Sequence, residues 1–323
     1  ASGAADYDQY VWTPSTGVSG TAAAGWSFNP SATTAYELTR KKLAAFLNSP
    51  STDQIIFTSG TTAGINLVAQ TFGRANVGKG DQIIVSNLEH HSNIVPWQMI
   101  AEEKGAEIKV IPVSDEGVLD LDALKGLLNP KVKLVAVNHV SNAIGTINPI
   151  VEIISLAHAV GAKVLIDGAQ SVAHLAVDVQ ALDLDFFVFS AHKLFGPTGV
   201  GVLYGKRELL EAMPPYKGGG EMIKEVSFAG TTYNELPYKF EAGTPNISDV
   251  IAFGAALDYI QAIPADALAA QEEALLAYAT KKLQAIPGLR IVGTAPEKIA
   301  VISFVIDGVH PQDIGVLLDK FGI

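Results

Sequence analysis

Short apolar segments alternate with segments of helical character along most of this chain, and this alternation restricts the folds open to it. Strands are predicted at 55–57, 82–86, 107–112, 134–137, 163–166, 186–189 and 200–204. Helical segments lie between many of them, for example at 93–104, 121–128 and 151–160. Such alternation favours an α/β fold, a doubly wound and mostly parallel seven-stranded sheet. The strand at 200–204 follows its neighbour through a short Gly-Pro turn without a helix, so we expect it to run antiparallel.

Length and composition set the domain organisation. With 323 residues, 48% of them apolar, the chain can bury a large core. We predict a large domain at 31–262 and part of a small α+β C-terminal domain at 263–323. In the latter, helices are expected at 265–286 and 311–321 and a strand at 298–306. Residues 1–30, which are rich in Ala, Ser, Thr and Gly, form a divergent segment that stays unassigned.

The charge balance excludes several classes of partner. Lys and Arg number 22 against 33 Asp and Glu, for a formal net charge of −11, and no basic cluster occurs. Nucleic acid and anionic membranes are therefore not expected as partners. No apolar stretch is long enough to span a membrane, and the N-terminal segment does not resemble a secretory signal, so a cytoplasmic location is expected.

Two predicted strands end on residues that carry chemistry. The strand at 186–189 leads into Ser190-Ala191-His192-Lys193, and the strand at 163–166 leads into Asp167. Open α/β sheets bind ligands at the carboxyl ends of their strands. A lysine amine can hold pyridoxal phosphate covalently, and a carboxylate can keep its pyridine nitrogen protonated, so the pair suggests this cofactor. Taken singly, a surface lysine and a turn-capping aspartate are the alternatives.

A candidate anion site follows the first predicted strand. Ser59-Gly60-Thr61-Thr62 opens a helical segment at 63–72, where free backbone amides and the helix N-terminus can face a phosphate. Thr61 and Thr62 would add hydroxyl groups. An ordinary capped helix start remains the alternative at this stage.

Five motifs carry a resemblance to a known family. They are Glu89-His90-His91-Ser92-Asn93, His139-Val140-Ser141-Asn142, Asp167-Gly168-Ala169-Gln170, Ser190-Ala191-His192-Lys193 and Glu241-Ala242-Gly243-Thr244-Pro245-Asn246. In this order and spacing they resemble class V, fold type I pyridoxal phosphate enzymes, and most closely the group II cysteine desulfurases and selenocysteine lyases. The resemblance runs from about residue 34 to the last residue, and residues 1–30 lack the family's opening pattern.

The resemblance implies a role for each cofactor-facing residue. Lys193 would hold pyridoxal 5'-phosphate and shuttle protons, and Asp167 would pair with the pyridine nitrogen. Gln170 would bond the phenolic oxygen, and His90 would stack on the ring. Asn142 would lie near the ring oxygen and the substrate carboxylate. For His90 alone, polar surface is the alternative, and no metal site is predicted because further ligands cannot be placed.

The phosphate site and the assembly state follow from the same resemblance. Ser190 and His192 would complete the cup that Thr61 and Thr62 begin. Thr244 would reach the phosphate from the partner subunit of a homodimer.

The implied activity is the mobilisation of sulfur from L-cysteine, or selenium from selenocysteine, for iron–sulfur cluster assembly, with a sulfur-acceptor protein as a further partner. The chain contains no cysteine, although the family uses a cysteine thiolate to take the sulfur. The chain as given is therefore expected not to complete this turnover, and the absence is interpreted as truncation. The alternatives are another class V reaction (transamination, epimerisation or kynureninase-like cleavage) and an inactive cofactor-binding module.

Overall fold

The computed structural model describes residues 30–323, so the unassigned segment lies outside the described residues except for Pro30. The strands are β1 Ile55–Thr58, β2 Gln82–Ser86, β3 Glu107–Ile111, β4 Val132–Asn138, β5 Lys163–Asp167, β6 Phe186–Ser190, β7 Gly201–Gly205, β8 Ile223–Ser227, β9 Gly230–Tyr233, β10 Leu289–Val292 and β11 Ser303–Ile306. The helices are α1 Pro30–Phe46, α2 Thr61–Val68, α3 Arg74–Asn76, α4 Val95–Lys104, α5 Leu121–Leu127, α6 Ile150–Ala159, α7 Arg207–Ala212, α8 Ile247–Gln261, α9 Ala265–Gln284 and α10 Pro311–Lys320.

A seven-stranded sheet in the order β1-β7-β6-β5-β4-β2-β3 forms the centre of the fold. The neighbours from β6 through β5, β4 and β2 to β3 pair in parallel. Strand β7 runs antiparallel to both β6 and β1. The predicted doubly wound sheet is confirmed, as is the antiparallel direction of the strand that follows the Gly-Pro turn.

Both faces of this sheet are buried, as the apolar strands require. In β6, Phe186 and Val188 pack into one core with side chains of α2 and α4. Phe187 and Phe189 point to the other face and pack with side chains of α1, α6 and α8. Alternate side chains of a single strand thus belong to two hydrophobic cores. Packing in both cores holds the strand ends in place.

The predicted strand at 298–306 is wrong in its first half. Strand β11 begins only at Ser303 and pairs antiparallel with β10, which was not predicted. Backbone groups just before β11 bond to a loop instead: Ile299 N–H donates to the Gly145 carbonyl at 2.9 Å, and Ile147 N–H donates to the Glu297 carbonyl at 2.9 Å. These hydrogen bonds occupy groups that a longer strand would need.

Other predicted bounds shift at element ends. The helix predicted at 63–72 begins at Thr61 and passes into a π-helical turn at Ala69–Gly73. A hairpin of β8 and β9 was missed. The helix predicted from residue 93 begins at Val95, because His91–Asn93 forms a 3₁₀ turn.

The division between 262 and 263 stays a prediction. Among residues 30–323, no helix combines the length and apolar character required to cross a bilayer.

A buried ion pair ties the start of the described chain to a distant turn. The Arg40 guanidinium is 1% exposed and forms a two-pronged pair with Glu241, with N–O distances of 2.7 and 2.9 Å. Arg40 also donates to the Ile55 carbonyl at 2.7 Å and lies 4.5 Å from the centre of the Phe57 ring. The second carboxylate oxygen has a further donor in Tyr36, at 3.3 Å. This bidentate geometry fixes α1, β1 and the 241–246 turn relative to one another.

A second fixed point is the loop at 141–147, where Ile144 fills a socket between two glycines. A Cβ atom at Gly117 would lie 2.3 Å from Ile144 Cδ1, and one at Gly293 would lie 2.5 Å from Ile144 Cβ. Both glycines have positive φ, +86° and +78°. The socket therefore depends on the absence of side chains at these two positions.

We expect Gly293→Ala to destabilise the protein more than Gly308→Ala. Both positions have similar positive φ, +78° and +74°, so backbone strain is matched, but an added Cβ at Gly308 meets nothing within 4 Å. The clash with Ile144 should add about 1–3 kcal/mol to the loss in unfolding free energy. Urea denaturation of both variants measures the difference, and equal midpoints would contradict the socket.

Candidate active site

A cavity of about 230 Å³ lies where β4, β5 and β6 end and α2 begins. Its lining residues are Thr61, Thr62, His90, Ser92, Asn138, Val140, Asn142, Asp167, Ala169, Gln170, Ser190, His192 and Lys193. Every predicted site residue except Thr244 is in this set. The sheet therefore brings together residues that are far apart in the sequence, such as Thr61 and Lys193.

Asp167 is the last residue of β5 and is buried, with 5% of its surface exposed. Its Oδ1 accepts a hydrogen bond from Ala169 N–H at 2.9 Å. Burial raises the pKa of Asp167, whereas the Ala169 N–H, the Lys193 ammonium and His90 act in the opposite direction. A buried carboxylate facing a cavity favours a cationic partner there.

Lys193 ends the 3₁₀ turn Ala191–Lys193 that follows β6. The turn is anchored by the fully buried Ala191, whose N–H donates to the Val200 carbonyl at 2.9 Å. After Lys193 the chain reverses through Phe195, which adopts a left-handed backbone with φ +58°. Gly196 lies against Phe253 so closely that a Cβ would come within 2.7 Å of its ring. This tight reversal fixes the backbone position of Lys193 at the edge of the cavity.

Hydroxyl groups line the cavity at the start of α2. Ser190 Oγ accepts from Thr61 N–H at 2.8 Å and lies 2.8 Å from Thr61 Oγ1. The segment before α2 packs closely against β7. A Cβ atom at Gly201 would lie 2.4 Å from Gly60 Cα, so this packing requires glycine at position 201. Thr61 is also the first residue of an eight-residue helix. These donors make this end of the cavity suited to an anion.

The 87–94 loop brings His90 to the cavity. Ser92 N–H donates to His90 Nδ1 at 3.2 Å, and Ser92 Oγ lies 2.6 Å from Thr62 Oγ1. The two histidine rings of this loop, at 90 and 91, have centroids 5.7 Å apart. Within residues 30–323, no group of three or more His, Cys, Asp or Glu side chains is arranged to bind a metal.

Sequence reasoning missed several lining residues. Asn138 directly follows the predicted strand at 134–137, as Asp167 follows 163–166, so the same sheet-edge argument could have identified it. Ser92 belongs to the motif at 89–93, but no role was predicted for it. Val140 and Ala169 line the cavity next to predicted residues, and no chemical property of their side chains would have identified them.

Thr244 lies away from these residues. It is exposed, and it lines a second cavity of about 250 Å³ together with Ser59, Tyr216 and the 241–246 turn. Its neighbour Gly243 has φ +81°, a left-handed backbone conformation that favours glycine. Within one chain, Thr244 therefore does not contribute to the first cavity, and its service to a partner's site stays a prediction.

Comparison with known proteins places this geometry in a family. The model of the class-V aminotransferase family matches residues 15–323. A cysteine desulfurase of Synechococcus elongatus is 55% identical over 291 residues, which are 90% of this chain and 46% of that protein. A cysteine desulfurase of Dickeya dadantii is 52% identical over 293 residues, which are 90% of this chain and 71% of that protein.

Solved structures agree with the sequence comparisons. The cysteine desulfurase CsdA of Escherichia coli superposes with a TM-score of 0.87 at 42% identity, covering 91% of this chain and 73% of that one. The apo cysteine desulfurase of Thermococcus onnurineus gives 0.87 at 38% identity, covering 92% and 74%. The fold and the matched sequence agree over nine tenths of the chain, and the protein therefore belongs to the class-V aminotransferase family, with cysteine desulfurases among its relatives.

Proposed function

We propose that this chain binds pyridoxal 5'-phosphate and acts on L-cysteine as a cysteine desulfurase. One observation carries the proposal: the buried Asp167 carboxylate, the Lys193 amine and the hydroxyl-lined start of α2 share one cavity. Relatives at about 50% identity that are named cysteine desulfurases support the substrate. A C-DES variant with glycine covalently linked to pyridoxal phosphate, 25% identical with a TM-score of 0.80, supports the cofactor.

The residues present fit this cofactor at both of its polar ends. The hydroxyl groups of Thr61 and Ser190 lie at one end of the cavity, where a phosphate would accept hydrogen bonds. At the Asp167 end, the carboxylate matches a protonated pyridine nitrogen. A cavity with donors at one end and a single buried acid at the other suits a molecule that is anionic at one end and cationic at the other.

When bound, pyridoxal phosphate withdraws electrons from the α-carbon of an amino acid. The Asp167 carboxylate would keep a proton on the pyridine nitrogen, and the Lys193 amine would hold the cofactor and move the proton at the substrate α-carbon. His90 would cover one face of the ring. Gln170 would donate to the phenolic oxygen, and Asn142 would lie toward the substrate carboxylate.

The phosphate would be held by Thr61, Thr62, Ser190 and His192, and by Thr244 of a second copy in a homodimer. The exposure of Thr244, outside the first cavity of its own chain, supports this exchange. A cytoplasmic location, a sulfur-acceptor protein and service in iron–sulfur cluster assembly belong to the same proposal. The large domain at 31–262 would carry the cofactor, and 263–323 would form part of the small domain.

Borohydride reduction of the protein with pyridoxal phosphate should leave the pyridoxyl group on Lys193. Lys193→Ala should abolish this label and keep the fold, since a partly exposed lysine at a strand end contributes little to the core. Peptide mass spectrometry identifies the labelled residue. Lys217→Ala, which removes a lysine from the second cavity, is the matched control and should label like the parent. Labelling at another lysine would contradict the assignment.

L-Cysteine should change the absorption spectrum of the loaded protein without repeated release of sulfide. The cavity groups that engage an amino acid are present, but the chain has no cysteine thiolate to take the sulfur. Sulfide and alanine are quantified per cofactor over time. Many sulfide equivalents per site would contradict the need for a thiolate nucleophile, and formation of D-cysteine or 3-mercaptopyruvate would favour epimerisation or transamination instead.

Mixing Lys193→Ala with Thr244→Ala subunits should restore cofactor sites that neither variant has alone. If Thr244 serves the partner's site, each mixed dimer joins the Lys193 of one chain to the Thr244 of the other. Random exchange at equal concentrations then yields about a quarter of all sites with both groups intact. Borohydride labelling at limiting cofactor counts these high-affinity sites. The absence of recovery after subunit exchange, verified by light scattering, would show that Thr244 acts in its own chain or not at all.

A further inference from the structure

The geometry points to Glu89 as a positioning residue for His90, and we propose that its carboxylate locks the 87–94 loop over the cofactor cavity. The inference rests on the proposed function, because it concerns how the chain holds His90 toward pyridoxal phosphate. Glu89 does not line the cavity itself. It stands one residue before His90 and receives hydrogen bonds from three parts of the chain.

Three donors surround the Glu89 carboxylate. Oε1 accepts from Ser86 Oγ at 2.5 Å and from Asn138 N–H at 3.0 Å. Oε2 accepts from Asn93 Nδ2 at 2.7 Å. Ser86 and Asn138 are the last residues of β2 and β4, and Asn93 ends the 3₁₀ turn of the loop. One carboxylate thus joins two strand ends to the loop that carries His90.

Each of these partners is committed to donate. Asn93 Oδ1 accepts from Trp97 Nε1 at 2.9 Å, so the Asn93 amide nitrogen must face Glu89. Ser86 Oγ accepts from Leu88 N–H at 3.1 Å, which leaves its hydrogen for Glu89. The Asn138 group is a backbone N–H, which can only donate. The site therefore requires a side chain with two acceptor oxygens, which the carboxylate of Glu89 supplies.

Burial disfavours the ionised form of this carboxylate, whereas its three hydrogen bonds favour it. The pKa of Glu89 is raised overall to about 7, mainly by desolvation, and the nearby Asp167 acts in the same direction. Hydrogen bonds from Ser86, Asn93 and Asn138 lower the pKa and so favour the ionised form. Ionised Glu89 is disfavoured by its burial and by the nearby Asp167 charge. The hydrogen bonds from its three donors partly compensate for both effects.

The locked loop transmits its position to cavity-lining groups. His90 Nδ1 and Ser92 Oγ lie 3.0 Å apart, and Ser92 Oγ lies 2.6 Å from Thr62 Oγ1 at the start of α2. On the other side, Asn138 Nδ2 donates to the Leu88 carbonyl at 2.7 Å. Glu89 therefore sits between the groups that fix His90 and the strand end that lines the cavity.

A donor swap tests this role. Glu89→Gln places an amide NH₂ against a committed donor, and pyridoxal phosphate affinity should fall by about tenfold. Asn93→Asp alone places two carboxylates together and should weaken binding as well. In the double variant Glu89→Gln/Asn93→Asp, the glutamine NH₂ can donate to the carboxylate introduced at position 93, which still accepts from Trp97. Affinity should return to within about threefold of the parent, a non-additive recovery that a double-mutant cycle detects.

Cofactor affinity is measured by fluorescence titration, and the visible circular dichroism of the bound cofactor reports the ring environment set by His90. Glu102→Gln, at an exposed position on α4, is the control and should match the parent. Thermal unfolding of the cofactor-free proteins identifies variants that lose the fold. A Glu89→Gln variant with parental affinity and dichroism, or a folded double variant without recovery, would overturn the inference. A parent that binds no pyridoxal phosphate would instead refute the proposed function, and this inference with it.

Discussion

The backbone register between β4, β5 and β6 is the constraint on which the candidate site depends. Asn138 pairs with Asp167 across β4 and β5, and Asp167 pairs with Val188 across β5 and β6. The ladder continues past the strands, because His139 N–H donates to the Asp167 carbonyl at 2.9 Å and Gly168 N–H donates to the Val188 carbonyl at 2.8 Å. A slip of one residue in this register would turn Asp167 to the opposite face of the sheet. Apolar packing on both faces opposes such a slip.

The Arg40–Glu241 ion pair fixes the position of the 241–246 turn, which carries the exposed Thr244. Its carboxylate also accepts from Phe57 N–H at 2.7 Å, so β1 is held by the same acid that holds the 241–246 turn. Removing one partner of a buried pair leaves the other charge without compensation, which typically costs about 3–5 kcal/mol. The exposed position of Thr244, three residues beyond Glu241, is thus set by a strong interior contact rather than by the surface.

Sequence reasoning recovered the sheet and most of the cavity because both follow from local patterns. Apolar runs marked the strands, and the residues just after them, such as Asp167 and the 190–193 segment, had to meet at one edge. The hairpin of β8 and β9 was missed because its strands are largely exposed and lack an apolar run. The strand at 298–306 was overextended because its backbone groups bond to a distant loop, which no local pattern reveals. The partners of Glu89 were invisible for the same reason: they come from separate strand ends.

The loop around Ile144 is held by residues that are synthesised late in the chain. Ser303 donates to the Ala143 carbonyl from a position 160 residues further along the chain, and the backbone of Glu297 and Ile299 bonds to the same loop. This loop carries Asn142, at the edge of the cavity. During synthesis, Asp167 and Lys193 leave the ribosome long before the 297–303 segment that bonds to this loop. The loop that carries Asn142 therefore gains these contacts only after all the residues that line the cavity have been synthesised.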